Sequence, residues 1–411
     1  MFGFGQLATY DYFAHVERAL TRRFKDAGED LVSYVCDVAP TASIRRRAAR
    51  LADLVAKTSV DDRPRDRRTS AASEERDSGP IHLLGHSTGG LDARLVASPS
   101  ARLPSGATSL EWLPRLRSVT TMSTPHYGTP LASFFATVSG QRMLYAVSAL
   151  TFIGLSLGAP PLAAASALVV ALGRIDRTIG VEVKMLDRTT DALLKALEPA
   201  TSREVRVYLD AIRRDQGAVI QLTPEAMDLF QAGVEDRPGV RYQCSVAMAP
   251  PPTTAKLARS IASISPWKAL SSTLFTTLYG ITARYDETYP CAAPELGASE
   301  GRLVEAFGRA PGARANDGVV PTLSQVWGEV AWAGLADHLD VLGHFPGAEA
   351  PASGAWARIR AFVGGSGSPS SEKVSHVDWL RSGAGFDERS FGVLMDRVAT
   401  GMLAPPATDV P

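Results

Sequence analysis

The sequence predicts an α/β fold, a mostly parallel sheet with helices on both faces, and three observations carry that prediction. Short apolar runs of strand length alternate along the chain with segments whose apolar residues recur at helical spacing. One strand-to-helix passage runs through Gly85-His-Ser-Thr-Gly89, a glycine-bounded turn of the kind that presents a serine at a strand end. The composition, 45% hydrophobic and 21% charged over 411 residues, is that of a globular chain able to bury a large core.

The totals exclude several classes. Lys plus Arg equals Asp plus Glu, 43 against 43, so charge gives no reason to expect a nucleic-acid partner. The three cysteines, Cys36, Cys244 and Cys291, are widely separated, which excludes a disulfide scaffold and a cysteine-rich zinc site. The opening Met1-Phe-Gly-Phe-Gly-Gln has neither a basic start nor an apolar segment, so no signal peptide is visible and localisation stays open.

In chain order, Phe13, Val16, Leu20 and Phe24 predict a helix over 10–25, stopped by Gly28. Residues 31–38 read as a strand. Ile44, Ala48, Leu51 and Leu54 mark a second amphipathic helix, and 59–79 reads as a charged, solvated loop. Residues 81–84 form the strand entering the serine turn, 91–97 the helix leaving it, and 116–122 the next strand. Strands are also expected near 239–246 and 328–333. Thr223 followed by Pro224 opens a short helix closed by Gly233. A glycine- and serine-rich linker at 364–371 precedes a helix bearing Phe391, Leu394, Met395 and Val398.

The stretch from Met143 to Gly173 contains no charged residue. Gly158-Ala-Pro-Pro161 divides it into two pieces, each short for a membrane span, so no stable transmembrane span is expected. It reads as an inserted helical cap over the serine site, 139–204, dividing a core formed by 1–138 and 205–411. Two buried core helices are the plainer version of the same reading.

Ser87 has the setting of a nucleophile. A sharp strand-to-helix turn needs small flanking residues, here Gly85 and Gly89, and the helix start offers backbone N–H groups to a developing oxyanion. A serine hydroxyl needs a histidine to take its proton and a carboxylate to hold that histidine. Of the seven histidines, His15, His82 and His86 precede or adjoin the turn, and His126 lies just after the next strand, leaving His338, His344 and His376. Asn316-Asp-Gly-Val-Val-Pro321 presents Asp317 in a turn, and Ala336-Asp-His-Leu-Asp340 presents His338 in a loop leading into a helix. Ser87, Asp317 and His338 occur in the order of such a constellation.

The chain resembles the bacterial secreted triacylglycerol lipases of the α/β-hydrolase superfamily, the Pseudomonas and Burkholderia type. The matching segments are Phe2-Gly-Phe-Gly5, Tyr10-Asp-Tyr-Phe13, Gly85-His-Ser-Thr-Gly-Gly90, Ser123-Thr-Pro-His-Tyr-Gly128, Asn316-Asp-Gly-Val-Val320 and His338-Leu-Asp340. The resemblance implies an α/β-hydrolase fold, Ser87 as nucleophile, Asp317 as acid and His338 as base. It implies hydrolysis of long-chain acylglycerols through an acyl-enzyme, at a lipid interface where a lid opens, and it admits a lipase chaperone as partner. Thr88 is the first oxyanion donor it implies, and the second falls at Met1, or less well Phe2. The His-Gly pair and central strand that should precede that donor are not in the sequence, so the expectation is a native strand upstream of Met1. No cofactor is implied for catalysis. A structural calcium is implied with Asp340 as ligand; His344 stands where relatives carry a glutamine, and Asp286 and Glu295 compete for the remaining acid. A disulfide in many relatives has Cys244 and Cys291 as its best counterparts.

An esterase for short esters or an acyltransferase would use the same residues; the long apolar cap favours the lipase. A hydrolase fold without catalysis, serving as a lipid-binding module, is the alternative of another class.

Overall fold

A computed structural model of the chain describes residues 6–7, 10–11, 13–39, 41–61, 79–104, 110–157, 195, 199–253, 266–284, 294–345 and 378–405. Two short strands, β1 (Gln6–Leu7) and β2 (Tyr10–Asp11), pair antiparallel at the start. The other four strands make one sheet: β3 (Ile81–His86), β4 (Leu116–Met122), β5 (Arg241–Met248) and β6 (Glu329–Leu335). They lie side by side in that order, every pair parallel. Among the described residues β3, the strand that carries the serine turn, is at the sheet edge.

Burial explains why these runs become strands. In β4 every residue but Arg117 is buried, as expected of a parallel strand covered on both faces. On one face α2 (Ile44–Asp61) and α3 (Thr88–Ala97) bury Ala48, Ala52, Ala93 and Val96 against Leu83, Leu116 and Val119. On that face α10 (Ser299–Phe307) adds Leu303 against Cys244, Val246 and Val330. On the other, α1 (Ala14–Asp26) and α11 (Glu388–Leu403) contribute Val16, Leu20, Phe24, Leu394 and Val398 to the principal core with Met122. Gln243 reaches across this face from β5, donating to the carbonyl of Val398 at 3.1 Å and to Thr120 Oγ1 at 2.8 Å. The expected α/β-hydrolase class is observed: a parallel sheet, helices on both faces, and a strand–serine–helix elbow.

Between β4 and β5 lie α4 (Pro130–Phe135), α5 (Val138–Leu157), α6 (Pro199–Arg214), α7 (Gly217–Gln221) and α8 (Pro224–Gly233). Thr129 caps α4 and Thr223 caps α8, each followed by proline at the first helical position. The first half of α5 and the inner face of α6 join the principal core through Met143, Leu144, Val147, Val205, Leu209 and Ile212. Tyr145 donates to the Leu209 carbonyl at 3.1 Å, fastening the two helices. Among the described residues no helix is long and apolar enough to cross a membrane. Helix α9 (Pro266–Thr282) packs beside α4.

Three sequence expectations change. Residues 31–38 are irregular rather than a strand, because they find no ladder partner among the described residues; Val32 and Tyr34 point to solvent. The first helix begins at Ala14, since Tyr10 and Asp11 belong to β2. Beyond His338 the chain makes a single 3₁₀ turn, Asp340–Leu342, ended by Gly343 at φ 95°. Most of the charged loop, 62–78, and the linker at 364–371 lie outside the described residues.

Candidate active site

Ser87 sits between β3 and α3 at φ 53° and ψ −129°, a strained conformation for a residue with a side chain. Two hydrogen bonds hold the turn: Ser87 N–H to the Met122 carbonyl at 2.9 Å, and Gly90 N–H to the Ser87 carbonyl at 3.1 Å. Glycine is required where strand and helix touch. A Cβ on Gly85 would lie 2.2 Å from the Gly89 carbonyl, and one on Gly90 would lie 2.2 Å from Thr124 Oγ1. Gly89 corrects the sequence reading, because a Cβ there meets nothing within 4 Å. The tight pair is Gly85 and Gly90. Thr88 opens α3, where a backbone N–H has no intrahelical acceptor. Ser123, at the end of adjacent β4, has φ 47°, so two strained serines share the carboxyl edge of the sheet.

Asp317 lies in the turn whose ends, Asn316 and Pro321, form an isolated bridge. Its Oδ1 accepts the N–H groups of Val319 at 2.9 Å and Val320 at 2.7 Å. Oδ2 lies 2.8 Å from His338 Nδ1, and His338 N–H donates to the Asp317 carbonyl at 3.0 Å. Both residues are wholly buried. A carboxylate at Nδ1 keeps the proton on that nitrogen and leaves a lone pair at Nε2. Burial lowers the pKa of His338, opposed by the charge of Asp317. Among the described residues Nε2 is buried without a hydrogen-bond partner, so it is not bonded to the Ser87 hydroxyl.

His86, the residue before Ser87, connects the two parts. Its Nε2 lies 2.8 Å from the His338 carbonyl, which only accepts, so Nε2 carries the proton; the rings lie 4.6 Å apart. Burial holds the pKa of His86 well below the ordinary histidine range. Sequence order alone removed His86 from consideration, and its contact with His338 is a positional role that spacing does not reveal.

A second residue missed in the sequence is Gln325. Its Nε2 donates to Asp317 Oδ2 at 3.3 Å, and its Oε1 accepts the Ala247 N–H at 2.7 Å. The same loop grips two further elements. The Ser324 hydroxyl donates to the Gly128 carbonyl at 2.7 Å and accepts the Tyr127 N–H at 3.1 Å. Trp327 stacks on the buried guanidinium of Arg94 from α3, 3.3 Å from ring centroid to Cζ, and hydrogen-bonds Asp236. Arg94 also donates to His126 Nδ1 at 3.1 Å. Arginine only donates, so His126 carries its proton on Nε2, 3.1 Å from Thr121 Oγ1.

The other predicted residues divide. Met1, Asp286, Cys291 and His376 lie outside the described residues. Cys244 is a free buried thiol accepting the Trp327 N–H at 3.4 Å, which corrects its assignment to a disulfide. His344 is buried beside His15, with ring centroids 5.8 Å apart. Asp340 Oδ2 accepts the Asp337 N–H at 2.8 Å, while its Oδ1 and Asp337 Oδ2 are buried with no close hydrogen-bond partner among the described residues. Burial and then the charge of Asp378 raise the pKa of Asp337 to about 7, and burial and then the charge of Asp337 raise that of Asp340 well above the ordinary carboxylate range. Glu295 is exposed. Among the described residues no three His, Cys, Asp or Glu side chains form a group that could hold a metal ion.

An elbow serine, a buried histidine with a lone pair at Nε2 and a fixed carboxylate behind it are the residue types that acyl transfer uses. No family model and no curated protein matches this sequence. Among solved structures, it is similar to EstA from Clostridium botulinum at 19% identity, covering 84% of this chain and 81% of that one, with a TM-score of 0.43. A lipase from Staphylococcus hyicus is 18% identical over 84% of this chain and 87% of its own, with a TM-score of 0.39. Lipase 1 from Pelosinus fermentans is 18% identical over 83% and 90%, with a TM-score of 0.43. Two of the three are lipases by name, and none of the three is from Pseudomonas or Burkholderia. With TM-scores below 0.5, none of them bears on the activity of this chain.

Proposed function

We propose that this protein is a serine ester hydrolase whose preferred substrates are long-chain acylglycerols. The observation that carries the reading is the buried Asp317–His338 hydrogen bond of 2.8 Å, with His338 seated against His86 at the elbow of Ser87. In the reaction, Ser87 Oγ attacks the ester carbonyl carbon as its proton passes to His338 Nε2. The carbonyl oxygen becomes an oxyanion and accepts the Thr88 N–H. Collapse expels the alcohol, which takes the proton from His338 and leaves an acyl group on Ser87. Water, deprotonated by Nε2, then attacks that acyl carbon; collapse breaks its bond to Ser87 Oγ, releases the fatty acid and returns the proton from Nε2 to Oγ. Asp317 stays ionised throughout and stabilises the imidazolium.

The preference for long chains is supported by the uncharged stretch from Met143 to Gly173, an apolar insertion for which a small soluble ester has no need. Two measurements test the proposal. A fluorophosphonate probe labels the folded wild-type protein and not Ser87→Ala; absence of wild-type labelling would sink serine catalysis. Rates on p-nitrophenyl esters rise from acetate towards palmitate; activity confined to acetate and butyrate would instead mark a short-chain esterase.

A further inference from the structure

Asp317 accepts four hydrogen bonds, and only three come from its own turn and from His338. The two backbone donors pin Oδ1, but a carboxylate pinned at one oxygen can still pivot. The oxygen facing His338 needs a support of its own.

We propose that Gln325 is the positioning residue that fixes Asp317 Oδ2 toward His338, an assignment that rests on reading Asp317 as the partner of the catalytic histidine. The orientation of the Gln325 amide follows from its neighbours. The Ala247 N–H can only donate, and it lies 2.7 Å from one arm of the amide, which is therefore Oε1. The other arm is the NH₂. It has Asp317 Oδ2 at 3.3 Å, the Ala247 carbonyl at 3.0 Å and the Val320 carbonyl at 3.3 Å. Three acceptors share two hydrogens, so the amide braces the carboxylate without binding it tightly. Gln325 is wholly buried, and in a water-excluded setting a donor to a carboxylate counts for more than at the surface. Through Ala247 it anchors the acid to β5, so the carboxylate takes its orientation from the sheet as well as from its own turn.

The test uses the full-length protein with p-nitrophenyl butyrate, and thermal melts identify the folded variants. Gln325→Met keeps length and removes the donor. Gln325→Glu keeps an oxygen for Ala247 and sets an acceptor against Asp317, so it serves if the methionine variant fails to fold. Losing a hydrogen bond to a charged group lowers kcat roughly ten- to a hundred-fold, with KM held within about two-fold. In an Asp317→Asn background the same substitutions change kcat by less than about two-fold, because Gln325 acts through that carboxylate. A merely structural glutamine would lower the melting temperature, leave kcat of the folded protein unchanged, and cost the same in both backgrounds. Wild-type kcat in a folded Gln325 variant, or full additivity in the double variant, overturns the assignment. Wild-type kcat in Asp317→Asn alone would overturn the underlying reading of Asp317 instead, so the two failures are distinguishable.

Discussion

At Ser87 the backbone is bent into a conformation that a side chain resists, and glycines allow that bend. The pattern Gly-x-Ser-x-Gly does not say which glycine is under pressure. Gly85 faces backbone atoms at 2.2 Å, and backbone cannot rotate aside as a side chain can, so Gly85→Ala should cost at least about 2–3 kcal/mol. Gly89→Ala should melt at or slightly above wild type, because its Cβ meets nothing and glycine in a helix forfeits about 0.5–1 kcal/mol relative to alanine. Thermal melts of the two variants check this; equal destabilisation would mean that the helix approaches the turn differently.

At the scale of elements, α3 is fastened from outside by a buried cluster. Arg94 lies between Trp327 and Phe230, and His126 accepts one of its hydrogens. Burial, and then the nearby charge of Arg94, push the pKa of His126 well below the ordinary histidine range. An unfolded histidine titrates near about 6.5, so below that pH the unfolded chain holds a proton that the native His126 refuses. The stability tied to His126 is complete above about pH 6.5 and declines as pH falls, by at most about 1.4 kcal/mol per pH unit. His126→Gln removes this titration. Urea melts between pH 7.5 and 4.5 should therefore show a shallower decline for the variant, and an unchanged slope would count against it. Buried acids such as Asp92, raised by burial despite the facing Arg47, act in the opposite sense, so the slope difference is the quantity to compare.

Across the whole molecule, what could be read in advance was whatever declares itself over a few neighbouring residues. The elbow, β4, β5, β6 and the helices around Leu20, Ala48 and Leu394 each have a local period or turn residue to announce them. Residues 31–38 had the right local character and failed, because a strand also needs a ladder partner and the sheet supplies none among the described residues. Asp317 is legible from a turn that runs into the short apolar stretch 319–321, and His338 from a loop that follows a strand. Gln325 was not: its importance comes from the direction of one amide arm toward a carboxylate eight residues earlier, which no spacing rule encodes. The role of His86 is hidden in the same way, since its ring nitrogen meets the His338 carbonyl across 252 positions of chain.

The loop of Ser324, Gln325 and Trp327 holds Asp317, the segment after β4 and the helix that follows Ser87 from one short stretch of chain. Separate openings of these parts would each have to break that shared clasp. Under native-state hydrogen exchange, the amides of Tyr127, Val319 and Val320 should therefore exchange as one block, with a common opening free energy and denaturant dependence. Exchange of Tyr127 long before the two valines would show the clasp to be divisible. With a single block, gentle warming would not yield a population in which only part of this arrangement has come apart. Each molecule would keep the whole arrangement or lose all of it, and whatever depends on that arrangement would count intact molecules.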